Sequence, residues 1–236
     1  MVQAIVTGGA VRVGRGISIA LADKGYDIIL IFNNSLDEAK ELAAELAGKG
    51  RQCYLYKVDI SRKENLDELF AEISRKFDDI KLLVNNASVF EKSSFSETSE
   101  QVFDDHMDIN FKAPFFLSQN FLRYVESHPY IRSANIVNIV DANINEIRTG
   151  HFIYHLSKKA LNDLTLMLAE EISPHIRVNS LALGKVLPSK EKGKVMKPET
   201  YPRIKELTGE IIRLQDSDIN GKVIYIESDP QLKGNG

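Results

Sequence analysis

The sequence predicts an α/β protein: one doubly wound parallel sheet of about seven strands with helices on both faces. Short apolar runs alternate with helical patterns along the chain. Most of those runs are nearly continuous in Ile, Val, Leu and Ala, as in strands covered on both faces. No internal repeat or compositional break divides the 236 residues, so a single domain over 1–236 is expected.

The strand candidates are Gln3–Thr7, Asp27–Phe32, Gln52–Val58, Leu82–Asn85, Asn135–Val140, Arg177–Ala182 and Lys222–Glu227. Between them the apolar period predicts helices at Gly14–Lys24, Leu36–Ala47, Lys63–Phe77, Glu100–Ser127, Tyr154–Ile172 and roughly Tyr201–Arg213. Gly48 and Gly50 are C-terminal stops for the second helix. Right-handed crossovers would place these helices on the two faces of the sheet. Lys185–Thr200 carries Pro188 and Pro198, is rich in lysine and lacks a steady apolar period, so it reads as a loop.

Composition excludes several function classes. Hydrophobic residues make up 43% and charged residues 27%, enough apolar content for a sizeable core. A net charge of −3 gives no support to a nucleic-acid or anionic-membrane partner. Cys53 is the lone cysteine, which rules out an intramolecular disulfide and a cysteine metal cluster and suits a reducing compartment. The start Val2–Val6 has no basic leader or long apolar stretch. A cytoplasmic chain without signal peptide or transmembrane helix is expected.

After the first strand comes Thr7-Gly8-Gly9-Ala10-Val11-Arg12-Val13-Gly14-Arg15-Gly16, and then a helix. Such a turn lets backbone approach a pyrophosphate, and the helix N-terminus supplies N–H groups and partial positive charge. The spacing resembles the Thr-Gly-x-x-x-Gly-x-Gly turn of short-chain dehydrogenases/reductases, with Arg12 in place of the middle glycine. That exchange is similar to the pteridine reductase subgroup, where the arginine reaches both cofactor pyrophosphate and substrate. A guanidinium suits phosphate oxygens through paired hydrogen bonds, although a solvent-exposed loop cation is the bland alternative. The resemblance implies a Rossmann-type fold, with Gly8, Arg12, Val13 and Gly14 against the cofactor.

The second strand ends Ile31-Phe32-Asn33-Asn34-Ser35, without the acid that accepts from the ribose hydroxyls in NAD-preferring proteins. Asn34 and Ser35 would not repel a 2′-phosphate, so NADP(H) is the expected cofactor. The subgroup's basic turn is missing here, and Asn34-Ser35 can also serve to cap the next helix. By resemblance Asp59, followed by Ile60, contacts the adenine. Asn85-Asn86-Ala87 matches the family's Asn-Asn-Ala-Gly, with Ser88 replacing glycine as in pteridine reductases, and Asn86, Ala87 and Ser88 line the cofactor. Gly184 is retained from the Pro-Gly after strand six and belongs to the cofactor set, whereas the proline is Leu183.

Tyr154-His155-Leu156-Ser157-Lys158 is the sharpest catalytic signal. Tyr and Lys four apart share one helix face. A free phenol titrates near pH ~10, and a neighbouring ammonium with an oxidised nicotinamide ring would lower Tyr154. The resemblance gives Lys158 a hold on the nicotinamide ribose and Asn110 a water in a proton relay. Where family members place a serine after strand five, this chain has Asp141. A carboxylate cannot donate to a ketone oxygen but suits a substrate presenting N–H donors. Pteridine reductases carry aspartate there, pairing it with the pterin ring, and stack a phenylalanine at the position of Phe90 on that ring. Asp141 read as a turn residue and Phe90 read as core remain open from sequence.

The resemblance covers the chain to Gly184 and again from Ile219 to Ile224. It implies hydride transfer from NADPH to a pterin-like substrate, with Arg12, Ser88, Phe90, Asp141 and Tyr154 on the substrate side. A homodimer or homotetramer would be built on the helices Glu100–Ser127 and Tyr154–Ile172. The alternatives are a ketone reductase of the same superfamily and a non-catalytic NADP-binding regulator. The region between Gly184 and Gly221 is shorter than the family's lid, so specificity is open there. Lys185, Lys190, Lys192, Lys194 and Lys197 either attract an anionic substrate tail or solvate a lid-like loop at about 185–200. Only His151 and His155 have a ligand-like spacing, and bordering the pocket suits them better than zinc, so no metal is expected.

Overall fold

In the computed structural model, which describes residues 1–146, 149–172, 174–187 and 197–230, seven parallel strands form one sheet in the order β3-β2-β1-β4-β5-β6-β7. They are β1 (Gln3–Thr7), β2 (Asp27–Phe32), β3 (Cys53–Lys57), β4 (Ile80–Asn85), β5 (Ala134–Asp141), β6 (Ile176–Leu183) and β7 (Val223–Ile226). The order reverses between β1 and β4, and a crevice opens at the carboxyl ends of the strands at such a switch point.

The continuous apolar runs are divided residue by residue between two cores. Ala4 and Val6 of β1, and Ile28, Leu30 and Phe32 of β2, face the layer of α1 (Arg12–Asp23), α2 (Leu36–Gly48) and α7 (Pro202–Gln215). Ile5, Ile29 and Ile31 face the opposite layer, built on α3 (Lys63–Lys76) and α5 (Ala113–Ser127). That is the two-residue alternation of a strand with both faces buried. α6 (Phe152–Glu171) packs on the β5–β6 side of this second layer through Leu161 and Leu164.

Helix bounds depart from the sequence reading in instructive places. The stretch expected as one helix over Glu100–Ser127 is broken: α4 (Glu100–Met107) leads into a π turn (Asp108–Lys112) and then α5. Pro114 explains the shift. It has no N–H for the carbonyl of Asn110, and the Ala113 N–H reaches back to Asp108, five residues away. α1 starts at Arg12 rather than Gly14, and α6 starts at Phe152, before Tyr154. Gly48 is the last residue of α2 rather than its stop, and Gly50, at φ 73°, makes the left-handed turn beyond it.

Of the loop expected at Lys185–Thr200, residues 188–196 lie outside the described residues, so Pro188, Lys190, Lys192 and Lys194 are not placed. A short 3-10 turn at Pro198–Thr200 closes the stretch. Among the described residues no helix is long and apolar enough to cross a membrane.

Candidate active site

Most residues singled out in the sequence sit at or just beyond the carboxyl ends of the strands: Gly8 and Arg12 after β1, Asn34 after β2, Asp59 after β3, Asn86 to Phe90 after β4, Asp141 at the end of β5 and Gly184 after β6, with β1 and β4 side by side. Thr7 ends β1, and its hydroxyl ties the two strands together. Oγ1 accepts from the backbone N–H groups of Asn86 (2.9 Å) and Ala87 (3.0 Å). Asn86 returns the link, donating from Nδ2 to the carbonyls of Thr7 (2.9 Å) and Gly8 (3.3 Å). Gly8 sits at φ 61°, in the region glycine enters without penalty. A Cβ on Gly14 would stand 2.2 Å from the Gly8 carbonyl oxygen and 2.6 Å from Asn86 Nδ2. The turn therefore presents bare backbone.

Arg12 occupies the family's glycine position and adopts a glycine conformation. Its φ of 50° makes it the non-glycine residue in the left-handed region among the described residues. It opens α1, whose N-cap Val11 makes no side-chain cap bond and whose first turn has no acid. Neither a capping side chain nor a carboxylate of the first turn competes there with an anion. At α2 the situation differs. Asn34 is exposed, and Ser35, in the N-cap position, makes no side-chain cap bond, contrary to the capping alternative. Asp37 and Glu38 fill the first turn of that helix. Asp59 Oδ1 accepts from the Ser61 N–H (3.1 Å) and hydroxyl (2.7 Å), which hold its carboxyl below the usual range, and Ile60 beside it is buried. Gly184 follows β6 where a Cβ would meet Ser228 Oγ at 2.5 Å.

The proton-handling groups lie across β5 and α6. Tyr154 and Lys158 share one face of α6, and both are buried. The phenol donates to Asp141 Oδ2 at 3.3 Å. The other carboxylate oxygen, Oδ1, accepts both the N–H (2.8 Å) and the side-chain amide (2.6 Å) of Asn143. Asp141 is thus clamped on one side and turned to Tyr154 on the other. Lys158 Nζ donates to the Ile139 carbonyl at 2.9 Å and lies 6.0 Å from the Tyr154 ring centroid. Burial pushes Lys158 down to about 8, with Asp141 pulling the other way.

The expected lowering of Tyr154 is overturned for the chain's own groups. Burial and then the Asp141 carboxylate push the phenol well above its ordinary value. Both effects penalise a phenolate, and the Lys158 ammonium is spent on a carbonyl rather than on the phenol.

Asn110 sits in the π turn, fully buried. Its amide exchanges bonds with Val89, accepting from the N–H (2.8 Å) and donating to the carbonyl (3.0 Å), and it donates to Ser157 Oγ (3.0 Å). It therefore links α6 to the segment after β4 that carries Ser88 and Phe90, both exposed. Phe90 is not core: its ring meets Tyr154 edge-on, at 4.6 Å. His106, buried beneath, donates from Nδ1 to the Val102 carbonyl (2.8 Å) and accepts from the Glu91 N–H at Nε2 (3.3 Å). Sequence reasoning missed Asn143 and His106 as parts of this frame. An Asp-x-Asn spacing was the signal for the first, and nothing local marks the second. Among the described residues no group of three or more His, Cys, Asp or Glu could hold a metal ion.

Comparison with known proteins agrees with this architecture. The short chain dehydrogenase family profile matches residues 3–198. The 3-oxoacyl-[acyl-carrier-protein] reductase FabG of Staphylococcus epidermidis is 27% identical over 232 residues, 96% of this chain and 91% of that protein. The crystal structure of FolM Alternative dihydrofolate reductase 1 from Brucella suis in complex with NADP superposes with a TM-score of 0.84 at 28% identity, covering 95% of this chain and 93% of that one. A blue fluorescent protein from a metagenomic library, in complex with NADPH, shares the fold with a TM-score of 0.81 at 23% identity over 96% of each chain.

Proposed function

The chain belongs to the short-chain dehydrogenase family, and from that premise we propose that it is an NADPH-dependent reductase of a pterin-like substrate. The carrying observation is the Asp141–Tyr154 pair. A carboxylate whose Oδ1 is taken by Asn143 offers Oδ2 to donors, and the phenol is within 3.3 Å of it. Such a site favours a ring that presents N–H groups over a bare ketone oxygen, which a carboxylate repels. The NADP-bound FolM relative, named an alternative dihydrofolate reductase, supports the same substrate class.

Gly8, Arg12, Val13 and Gly14, with the N-terminus of α1, fit a pyrophosphate: a Cβ on Gly14 would collide with the Gly8 carbonyl and Asn86 Nδ2, so glycine lets the uncapped start of α1 pack directly against the turn. Asn34 and Ser35 would flank the ribose 2′-phosphate, Asp59 and Ile60 the adenine, and Asn86, Ala87, Ser88, Lys158 and Gly184 the inner half of the dinucleotide. Bound there, NADPH supplies the hydride. The chain's residues orient and protonate. Phe90 and Arg12 would hold the flat substrate, and Asp141 would anchor its N–H groups. Tyr154, neutral because burial and Asp141 favour the protonated phenol, is suited to give a proton. Lys158 and Asn110 would keep the helix face and the Val89 segment in place around it.

A panel assay following NADPH absorbance with dihydrobiopterin, biopterin, folate and several ketones tests the reading. Reduction of dihydropterin with Tyr154→Phe slowed by roughly 10²–10⁴-fold is expected. Asp141→Ser should lose pterin reduction. Turnover of ketones alone would replace the pterin reading by ketone reduction, and NADPH binding without any turnover would favour a regulator.

A further inference from the structure

We propose that His151 is a specificity-determining residue of this site: its imidazole backs Phe90 and fixes the orientation of the ring offered to a flat heteroaromatic ligand. The proposal rests on the substrate reading above for the class of ligand, and on independent geometry for the residue.

Phe90 is 63% exposed, yet its ring is held on two sides. His151 lies parallel to it, with centroids 4.2 Å apart and planes within 14°. Tyr154 meets it at 84°. One face of Phe90 is therefore covered by an imidazole, the reactive phenol stands perpendicular to the ring, and most of the side chain stays open to a ligand.

The backbone enforces this arrangement. The Ser93 N–H donates to the Gly150 carbonyl (3.0 Å) and the Phe152 N–H to the Ser93 carbonyl (2.9 Å), a parallel bridge between Ser93 and His151. The His151 ring also bonds the Glu91 carbonyl through Nδ1 at 3.2 Å. The segment carrying Phe90 is thereby fastened to the start of α6, three residues before Tyr154. His151 occupies the N-cap position of that helix but makes no side-chain cap bond. Its ring is committed to Phe90 and the Glu91 carbonyl, not to the helix end. A Phe90 ring without a backing partner would sample other rotamers, and a planar ligand would bind to a smaller fraction of the molecules.

The test compares His151→Ala with the flat replacement His151→Phe, and Phe90→Ala with the double variant. With NADPH saturating, His151→Ala should raise KM for dihydrobiopterin about tenfold, with a smaller change in kcat and an unchanged Kd for NADPH. KM for an aliphatic ketone should move less than about twofold. His151→Phe should recover most of the loss. In the double variant the two effects should fall short of their product. Equal KM changes for both substrates, no change, or failure of the phenylalanine to restore binding would overturn the assignment. If the wild-type protein reduces no pterin, the substrate reading fails on its own. His151 is then judged by the same criteria on bicyclic aromatic against aliphatic ketones.

Discussion

Thr7 shows how much of the site one hydroxyl holds. Its oxygen accepts two backbone N–H groups from the exit of β4, and valine would leave both part-buried donors without that partner. Each stranded donor costs about 1–3 kcal/mol. Thr7→Val should lower stability by about 2–4 kcal/mol by urea denaturation and weaken NADPH binding, whereas Thr7→Ser should keep most of both. Lys158 carries a different signature. Held at about 8 by burial against an ordinary 10.5, its ammonium is disfavoured in the folded state by on the order of 3 kcal/mol. Below pH 8 lysine is charged in both states and the full penalty applies. Between about 8 and 10.5 the unfolded chain binds more protons than the folded one, and stability rises with pH. Above 10.5 the penalty is gone. Lys158→Met should therefore gain on the order of 2 kcal/mol over wild type at pH 7, lose that advantage as pH approaches 10.5, and be inactive throughout. Paired melts at a series of pH values read it, and a Lys158→Met protein less stable at pH 7 would contradict it. That Tyr154 and Lys158 share one helix face was legible from their spacing, whereas reading them as a pair also took their place after the fifth strand, the glycine turn and the Asn-Asn-Ala motif. The direction of the phenol's shift was not legible, because a one-dimensional pattern reports neither burial nor that the ammonium has gone to Ile139. The Asn143 clamp and the stacking of His151 arise from loop geometry after β5, where no periodicity exists to read.

Strands were easier to read than helix interiors. β1 and β2 have the bounds expected from their apolar runs, and the polar residues they bury, Gln3, Thr7 and Asp27, all stand at strand ends. The break between α4 and α5 was hidden because the apolar period runs on through Phe111, Phe115 and Phe116, and Pro114 alone marked it. The break has a consequence for the site. It turns Asn110 inward, where it bonds both Val89 and Ser157. Alanine at position 114 restores an N–H for the Asn110 carbonyl and removes the reason for the wider turn. Pro114→Ala should keep the circular dichroism spectrum and fold, yet reduce kcat by about tenfold through a displaced Asn110, an effect on the order of 1.4 kcal/mol in the barrier. Unchanged kcat would show that the π turn does not depend on the proline.

At the scale of the molecule, the reversal of strand order brings residues as distant in sequence as Thr7, Asn86 and Asp141 to one edge, and that could be inferred from alternation of strands and helices alone. What surrounds the protomer could not be inferred that way, because apolar residues on a helix serve sheet packing and association alike. Leu117, Leu161 and Leu164 are buried within the protomer, whereas Phe115 on α5 and Leu166 and Met167 on α6 are exposed, Met167 to 70%. Large side chains left bare on two helices of one layer favour a second copy as their cover. Light scattering on the purified chain should accordingly give a dimer or tetramer. A carboxylate at a covered position has to be desolvated without a partner, so Met167→Glu together with Phe115→Glu should raise the dissociation constant at least tenfold. Because Tyr154 and Lys158 face the sheet from the same helix, the dissociated variant should still bind NADPH. A wild-type monomer at micromolar concentration would leave those side chains to solvent and remove the basis for assembly through α5 and α6.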